Sequence, residues 1–323
     1  MGQMGQGHPA STLAMHGVTG ASQARLGWYL LVVSLVVVVV VCLLLGASAW
    51  RARRRRAAAE ERELVHPGGS GLAWVMVGGI IVPAIVLTAT FVFTVATLHA
   101  NAAPWRPPAA TIRVVGHQWW WEVHYVGGSP AAEVVTANEI HVPVGEPVRL
   151  VLSSDDVIHS FWVPEIAGKM DLIPGKTNET WIAARDTGAY EGECGEYCGV
   201  QHSHMHLRLI AEPPDRFAAW LAAQRRPAAT GTAPSAGAQA FFSAGCASCH
   251  TIRGTRAGGR VGPDLTHLMS RRTIAGGTLE NTRGNLAAWV TDAQGLKPGA
   301  RMPTLAVQPD QFQQLLGYLE TLR

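Results

Sequence analysis

Charge is missing from two long stretches of this 323-residue chain, although Lys, Arg, Asp and Glu make up 15% of it overall. Gly27 to Trp50 runs for 24 residues without a charged side chain, and Leu72 to Leu98 for another 27. Each is long enough to cross a bilayer as a helix, which excludes a wholly soluble chain. The first run is 24 residues long and follows a charge-poor start of 26 residues, which argues for a retained helix over an excised secretory leader. Cysteine is scarce as well. Of five, Cys42 lies inside the first run and reads as a buried apolar residue, so four remain for chemistry.

What is present between the two runs is a basic cluster, Arg51 and Arg53 to Arg56, which the positive-inside rule keeps cytoplasmic. Residues 27–109 are therefore expected to form a transmembrane hairpin, with residues 1–26 and everything after the hairpin on the outer side. Pro83 in the second run is tolerable there, because neighbouring groups in a membrane helix can satisfy the carbonyl it frees.

Two of the four remaining cysteines stand in Cys194-Gly-Glu-Tyr-Cys198-Gly-Val-Gln-His202-Ser-His204-Met205. Thiolate, imidazole and thioether together are soft ligands that favour copper or zinc. A Cys, His and weak Met set is the recipe of a mononuclear copper site, and a second thiolate allows two ions to be bridged, so dinuclear copper is expected. Structural zinc is the rival, since Cys-x3-Cys with two histidines falls within tetrahedral spacing rules. Met205 would be idle beside zinc. His159, far upstream in Asp-Val-Ile-His-Ser-Phe, supplies the second imidazole as a Greek-key β-sandwich would, from another strand at the same end.

The other two cysteines form Cys246-Ala-Ser-Cys249-His250, the attachment pattern of a covalent haem c with His250 as proximal iron ligand. Gly262-Pro263-Asp264-Leu265 follows at a distance suited to a loop that buttresses His250. Arg301-Met302-Pro303 precedes a last helix, which makes Met302 the expected second axial ligand. Met269 competes for that role but lacks the following proline, and is expected to pack.

Between these landmarks, residues 110–212 show short β-type runs (Ile112–Val115, Val134–Val135, Ile140–Val142, Val148–Leu152) broken by Gly, Pro and Asn. Residues 213–237 hold a short helical stretch and a linker rich in Ala, Pro, Thr and Gly from Pro227. Residues 238–323 read as a small all-α domain, with helices at Ala238–Ala247 and Pro309–Leu322 and an apolar stripe of Phe312, Leu315, Leu316 and Leu319 that is ordinary core. Residues 110–212 carry 14 acidic against 6 basic side chains, a net −8, whereas 238–323 carry 9 basic against 5 acidic, a net +4. Opposite signs on tethered domains favour their encounter. Nucleic acid is not needed to explain the basic residues.

The stretches Gly116-His-Gln-Trp-Trp-Trp121, Asp156 to Phe161, Lys169 to Gly175 and the Cys194 to Met205 loop resemble the copper A domain of cytochrome c oxidase subunit II. The C-terminal part resembles a class I cytochrome c. The resemblance implies a cupredoxin-like sandwich in which His159, Cys194, Cys198, His202 and Met205 hold dinuclear copper A through side chains and Glu196 through its backbone carbonyl. It implies a magnesium ion at the Glu196 side chain, on the boundary with subunit I. Trp119 falls where the family has the surface tryptophan that passes electrons to copper A. His204 and His206 are then non-ligands, since the family pattern has a variable residue at the third place of His-Ser-x-Met.

On that resemblance the chain is expected to carry electrons from haem c to copper A and on to subunit I, for oxygen reduction coupled to proton translocation. The oxygen site lies in subunit I, so the enzyme label belongs to the complex. Expected partners are subunits I and III, membrane lipid, and a donor such as a bc-type complex or a soluble cytochrome c, at a bacterial plasma membrane. The alternatives are a copper A subunit feeding a nitric oxide reductase of the same superfamily, or a free-standing membrane-anchored carrier. One departure stands out: where many relatives carry a glutamate at a proton channel near the start of the second helix, Gly71 to Pro83 holds no acid, and the nearest are Glu60, Glu61 and Glu63.

Overall fold

The computed structural model describes residues 11–12, 14–58, 70–129, 132–229, 235–305 and 308–323. Glu60, Glu61 and Glu63 lie outside them, as do the side chains of Arg55 and Arg56. The chain divides into two compact units, Ser22–Ala103 and the remainder.

The Ser22–Ala103 unit is a pair of long helices. α1 (Val18–Ala58) runs past both ends of the charge-free stretch. Ala and Arg are good helix formers, so the arginine-rich segment continues the helix that the apolar run begins. The second helix is composite: α2 (Ser70–Met76), a π-helical turn at Val77–Ile81, and α3 (Val82–Ala102). Pro83 follows directly on that π turn, and the helix continues through it. Ser22 Oγ donates to Asn101 Oδ1 at 2.8 Å, and the Tyr29 and Phe93 rings meet edge-on at 5.2 Å, so the helices are antiparallel neighbours. Leu43, Leu87 and Phe91 are each 67% exposed, an outward face that only lipid or another apolar surface suits. Two helices of this length and composition form a membrane anchor.

The other unit begins with a β-sandwich. One sheet has the order β3 (Val134–Ala137), β2 (Trp120–Tyr125), β1 (Ala110–His117), β5 (Val148–Ser154), β8 (Asn178–Ile182). The second has β4 (Glu139–Pro143), β10 (His206–Glu212), β9 (Gly188–Cys194), β6 (His159–Trp162), β7 (Met170–Leu172). Only β1 with β5 and β4 with β10 pair in parallel; the other neighbours are antiparallel. Burial alternates along β2 and β5, as a two-sheet core requires. Ile112, Trp121, Leu150, Leu152, Ile140 and Leu209 are fully buried in that core.

α4 (Pro214–Gln224) adds Phe217 to the same core and stacks Trp220 on His141 at 3.9 Å. Ahead of α1, the His16 and Gly17 amides bond to the Glu165 carbonyl, and a Cβ at Gly17 would fall 1.8 Å from the Ile166 oxygen.

The C-terminal part is mainly helical: α5 (Ala236–Ser243), α6 (Arg283–Thr291), α7 (Ala293–Leu296) and α8 (Pro309–Leu319), with a short hairpin of β11 (Thr273–Ile274) and β12 (Leu279–Glu280). α5 stops at Ser243, short of the expected Ala247, because Gly245 turns left-handed (φ 77) and starts the tight turn Cys246–Ser248. α5 and α8 cross so closely that a Cβ at Gly237 would sit 2.2 Å from the Gln314 carbonyl oxygen. Phe241, Ile252, Leu315, Leu316 and Leu322 fill the core beneath.

Candidate metal and haem sites

Pairing of β6 with β9 sets Phe161 opposite Cys194, which brings His159, two residues earlier, beside the end of β9. The loop from there to β10 is closed by the Cys194 amide donating to the Met205 carbonyl (3.0 Å) and by Gly195 donating to Ser160 (2.8 Å). Cys194 Sγ then lies 3.7 Å from Cys198 Sγ, 3.9 Å from His159 Nδ1 and 3.1 Å from the Glu196 carbonyl oxygen. Cys198 Sγ lies 3.7 Å from His202 Nδ1 and 3.8 Å from Met205 Sδ. Six expected donors thus converge.

His159 and Met205 are fully buried, Cys194 and Cys198 nearly so. The sulfur–sulfur contact holds the Cys194 thiol well below the usual thiol range and pushes Cys198 up. Buried thiolate, imidazole and thioether fit a soft cation, which the two sulfurs, 3.7 Å apart, would hold together.

His204 and His206 point elsewhere. His204 Nδ1 pairs with Gln201 Oε1 at 2.7 Å. Burial lowers the His206 imidazole, and its amide donates to the Gly276 carbonyl at 2.9 Å. The Glu196 carboxylate faces out, 3.2 Å from Lys169 Nζ, which also holds Asp171 at 3.3 Å.

The second site is a cavity of about 370 Å³. Its wall includes Cys246, Cys249, His250, Gly262, Pro263 and Met302 from the helical part. His250 Nδ1 donates to the Pro263 carbonyl at 2.8 Å, the tautomer that leaves Nε2 free to bind a metal. Burial lowers the His250 pKa, which keeps the ring neutral as a ligand must be. A Cβ at Gly262 would fall 2.6 Å from His250 Cε1, so only glycine lets the loop support the ring this closely. Two thiols, a neutral imidazole and a thioether around an apolar cavity fit a haem c. Met269 is absent from the described residues lining the cavity; it packs in the helical core.

Gln118, Trp119, Trp120 and Asn138 of the sandwich complete the wall. Trp119 is only 8% exposed, and its indole Nε1 donates to the Cys198 carbonyl at 3.0 Å. The same ring forms part of the cavity wall, so one side chain touches both sites. Sequence reasoning missed three participants: Asp156, Glu139 and Lys297. The one signal for Lys297 is rarity, since only three of the 26 basic residues are lysine.

The fold and sites define a membrane-anchored, cupredoxin-like domain followed by a c-type cytochrome. Residues 128–211 match the family described as cytochrome c oxidase subunit II, periplasmic domain, and residues 234–323 match the cytochrome c family. Together these imply copper and haem c as cofactors. The cytochrome c oxidase subunit 2 of Alkalihalophilus pseudofirmus is 39% identical over 66% of this chain and 61% of its own length. That of Bacillus sp. PS3 is 32% identical over 66% and 62%. The chain thus spans about three fifths of these relatives. The periplasmic domain of subunit II from Bradyrhizobium japonicum is 30% identical, covering 37% of this chain and 96% of that one at a TM-score of 0.35. The chain thus carries a segment that matches the subunit II periplasmic-domain family, followed by one that matches the cytochrome c family.

Proposed function

We propose that this chain is the electron-receiving subunit of a haem-copper cytochrome c oxidase. Residues 27–109 anchor it, 110–212 bind copper, 213–237 connect, and 238–323 bind haem; residues 1–26 and both cofactor domains lie on the outer side. His159, Cys194, Cys198, His202 and Met205, with the Glu196 carbonyl, hold a dinuclear copper centre. Cys246 and Cys249 anchor the porphyrin covalently, and His250 and Met302 hold its iron. When bound, these groups supply two one-electron centres in series, feeding oxygen reduction and proton translocation in subunit I.

The chain's own residues do the positioning. Asp156 orients His159, Pro263 orients His250, the sandwich core keeps water from the sulfur pair, and Trp119 bridges the two sites. Glu196 would offer its carboxylate to a magnesium ion shared with subunit I. Subunit III, lipid and a donor docking at the cytochrome complete the assembly.

Trp119 is the observation that carries this reading, because a side chain bonded to the copper loop and lining the haem cavity belongs to a relay between them. Metal analysis, optical and EPR spectra, and oxygen consumption of the purified complex test it. Two coppers and one haem c per chain, with cyanide-sensitive oxygen uptake, are expected. One zinc per chain, or nitric oxide turnover without oxygen uptake, overturns it.

A further inference from the structure

The cytochrome domain meets the sandwich through two buried charged side chains that cross in opposite directions. Lys297, at the C-terminal end of α7, is 2% exposed and leaves its own domain to donate to the Trp119 carbonyl (2.9 Å) and the His204 carbonyl (2.7 Å). Its third hydrogen goes to the Ala275 carbonyl (2.9 Å) within the cytochrome. Three acceptors for three donors is the full complement of an ammonium group. In the other direction Glu139 on β4, 3% exposed, accepts from the backbone amides of Arg272 (2.5 Å) and Thr273 (3.0 Å).

The backbone around Lys297 is shaped to the same contact. Ala275, Gly276 and Gly277 all have positive φ (57, 70 and 79). A Cβ on Gly276 would fall 2.5 Å from the Trp119 carbonyl oxygen and 2.6 Å from Lys297 Nζ, so no larger residue fits. This left-handed loop costs backbone strain at Ala275 that a free cytochrome has no reason to carry. Gly276 also accepts from the His206 amide, which joins the loop to the start of β10.

We propose that Lys297 is a positioning latch: it clamps the cytochrome domain onto the copper-loop face of the sandwich so that Trp119 is held in the wall of the haem cavity. Glu139 is the second, independent point of the clamp. The polar head of each is buried and bonded to the other domain's backbone, Lys297 with one further bond to Ala275 of its own, so undocking leaves polar groups of both domains without these partners until water reaches them. The contact is therefore held mainly by buried groups, with one half-exposed charge pair, Arg301 with Asp156 at 3.5 Å, beside them. The inference rests on the relay reading above for its consequence, but the clamp itself is readable without any cofactor.

The test uses the purified full complex with Lys297→Met, Lys297→Gln and Glu139→Gln. Amide hydrogen exchange over residues 199–210 and 272–280 reads docking directly, and flash photolysis reads haem-to-copper transfer. Lys297→Met should raise exchange in both segments by about tenfold or more, the factor set by losing hydrogen bonds to a charged group. Internal transfer should slow by a similar factor, while reduction of the haem by an external donor and both metal spectra stay unchanged. Lys297→Gln, which keeps two donors, should fall between, and Glu139→Gln should loosen 272–280 more than 199–210. Unchanged exchange in Lys297→Met overturns the latch, and loosened exchange with unchanged internal transfer overturns its positioning role. Absence of copper from the unsubstituted complex would instead defeat the relay reading and leave the exchange result standing.

Discussion

His159 Nε2 lies 2.9 Å from Asp156 Oδ1, and this fixes which face of the imidazole meets the sulfur pair. Burial raises the Asp156 pKa, but hydrogen bonds from His159 and from the Val157 and Gln118 amides outweigh it and bring the carboxyl down to about 2. An ionised acceptor makes Nε2 the donor, so Nδ1 is the nitrogen offered towards Cys194. Arg301, next to Met302, reaches the other oxygen of the same carboxylate at 3.5 Å.

Asp156→Asn should therefore weaken copper binding by roughly 10- to 100-fold, the usual loss when a group orienting a ligand is removed. Copper titration against a competing chelator measures it. Unaltered affinity means that His159 needs no carboxylate to hold its ring.

Cys194→Ser or Cys198→Ser should preserve the sandwich, because the buried apolar core does not depend on either thiol, yet reduce bound copper from two ions to one or none. His202→Ala should bleach copper absorption and His204→Ala should barely change it, since His204 Nδ1 is occupied by Gln201. Equal bleaching by the two histidine variants refutes this ligand set.

Trp119→Ala should slow the internal transfer step with both metal spectra intact. It removes a large buried ring, so a loss of roughly 3–5 kcal/mol in domain stability is expected too, and the substitution is read only where circular dichroism shows the folded form. Raising salt should slow a soluble donor and leave the internal step unchanged, because screening at about 10 Å acts on diffusing charges and hardly on buried contacts. An internal rate that varies with protein concentration would mean transfer between chains.

Glu122 sits between His117 (3.0 Å) and His124 (3.0 Å) on the sandwich. Burial raises its pKa, but the two histidine hydrogen bonds outweigh that and lower it from 4.5 to about 2. A carboxyl depressed in the folded state binds fewer protons than in the unfolded one, so its stabilisation is complete above about 4.5 and is lost as pH falls towards 2. Urea melts of the complex at pH 5 and pH 3 should show a smaller acid loss in Glu122→Gln. Identical acid losses refute the assignment.

Much of this architecture is legible in local pattern. Two charge-free runs give the anchor, period-two alternation gives strands such as β5, and the Cys194 to Met205 spacing places five of the six proposed metal donors within one short segment. What local pattern leaves out is contact across distance. Nothing around Glu139 announces that it caps amides at Arg272 and Thr273, and nothing around Lys297 announces three carbonyls from separate segments. Such partners share no spacing rule because only the packed fold brings them together. Helix ends were also hidden: α1 runs on to Ala58 because arginine and alanine favour helix whatever their charge, and α5 ends early because of one left-handed glycine.

The pairing of β10 with β4 sets the order in which the molecule can be made. His202 and Met205 reach their places only when β10, emerging late from the ribosome, has found β4 across five intervening strands. Such non-local closure is slow, because the loop must be ordered before any contact rewards it. A metal held by these residues would therefore find no complete site while the chain is still being synthesised through the sandwich, and would have to be loaded onto the finished domain. Docking of the cytochrome comes later still, since the carbonyls that receive Lys297 belong to Trp119 and to His204 in that same last-closed loop. Anchor, sandwich, metal and docked cytochrome are thus assembled in the order in which the chain encodes them.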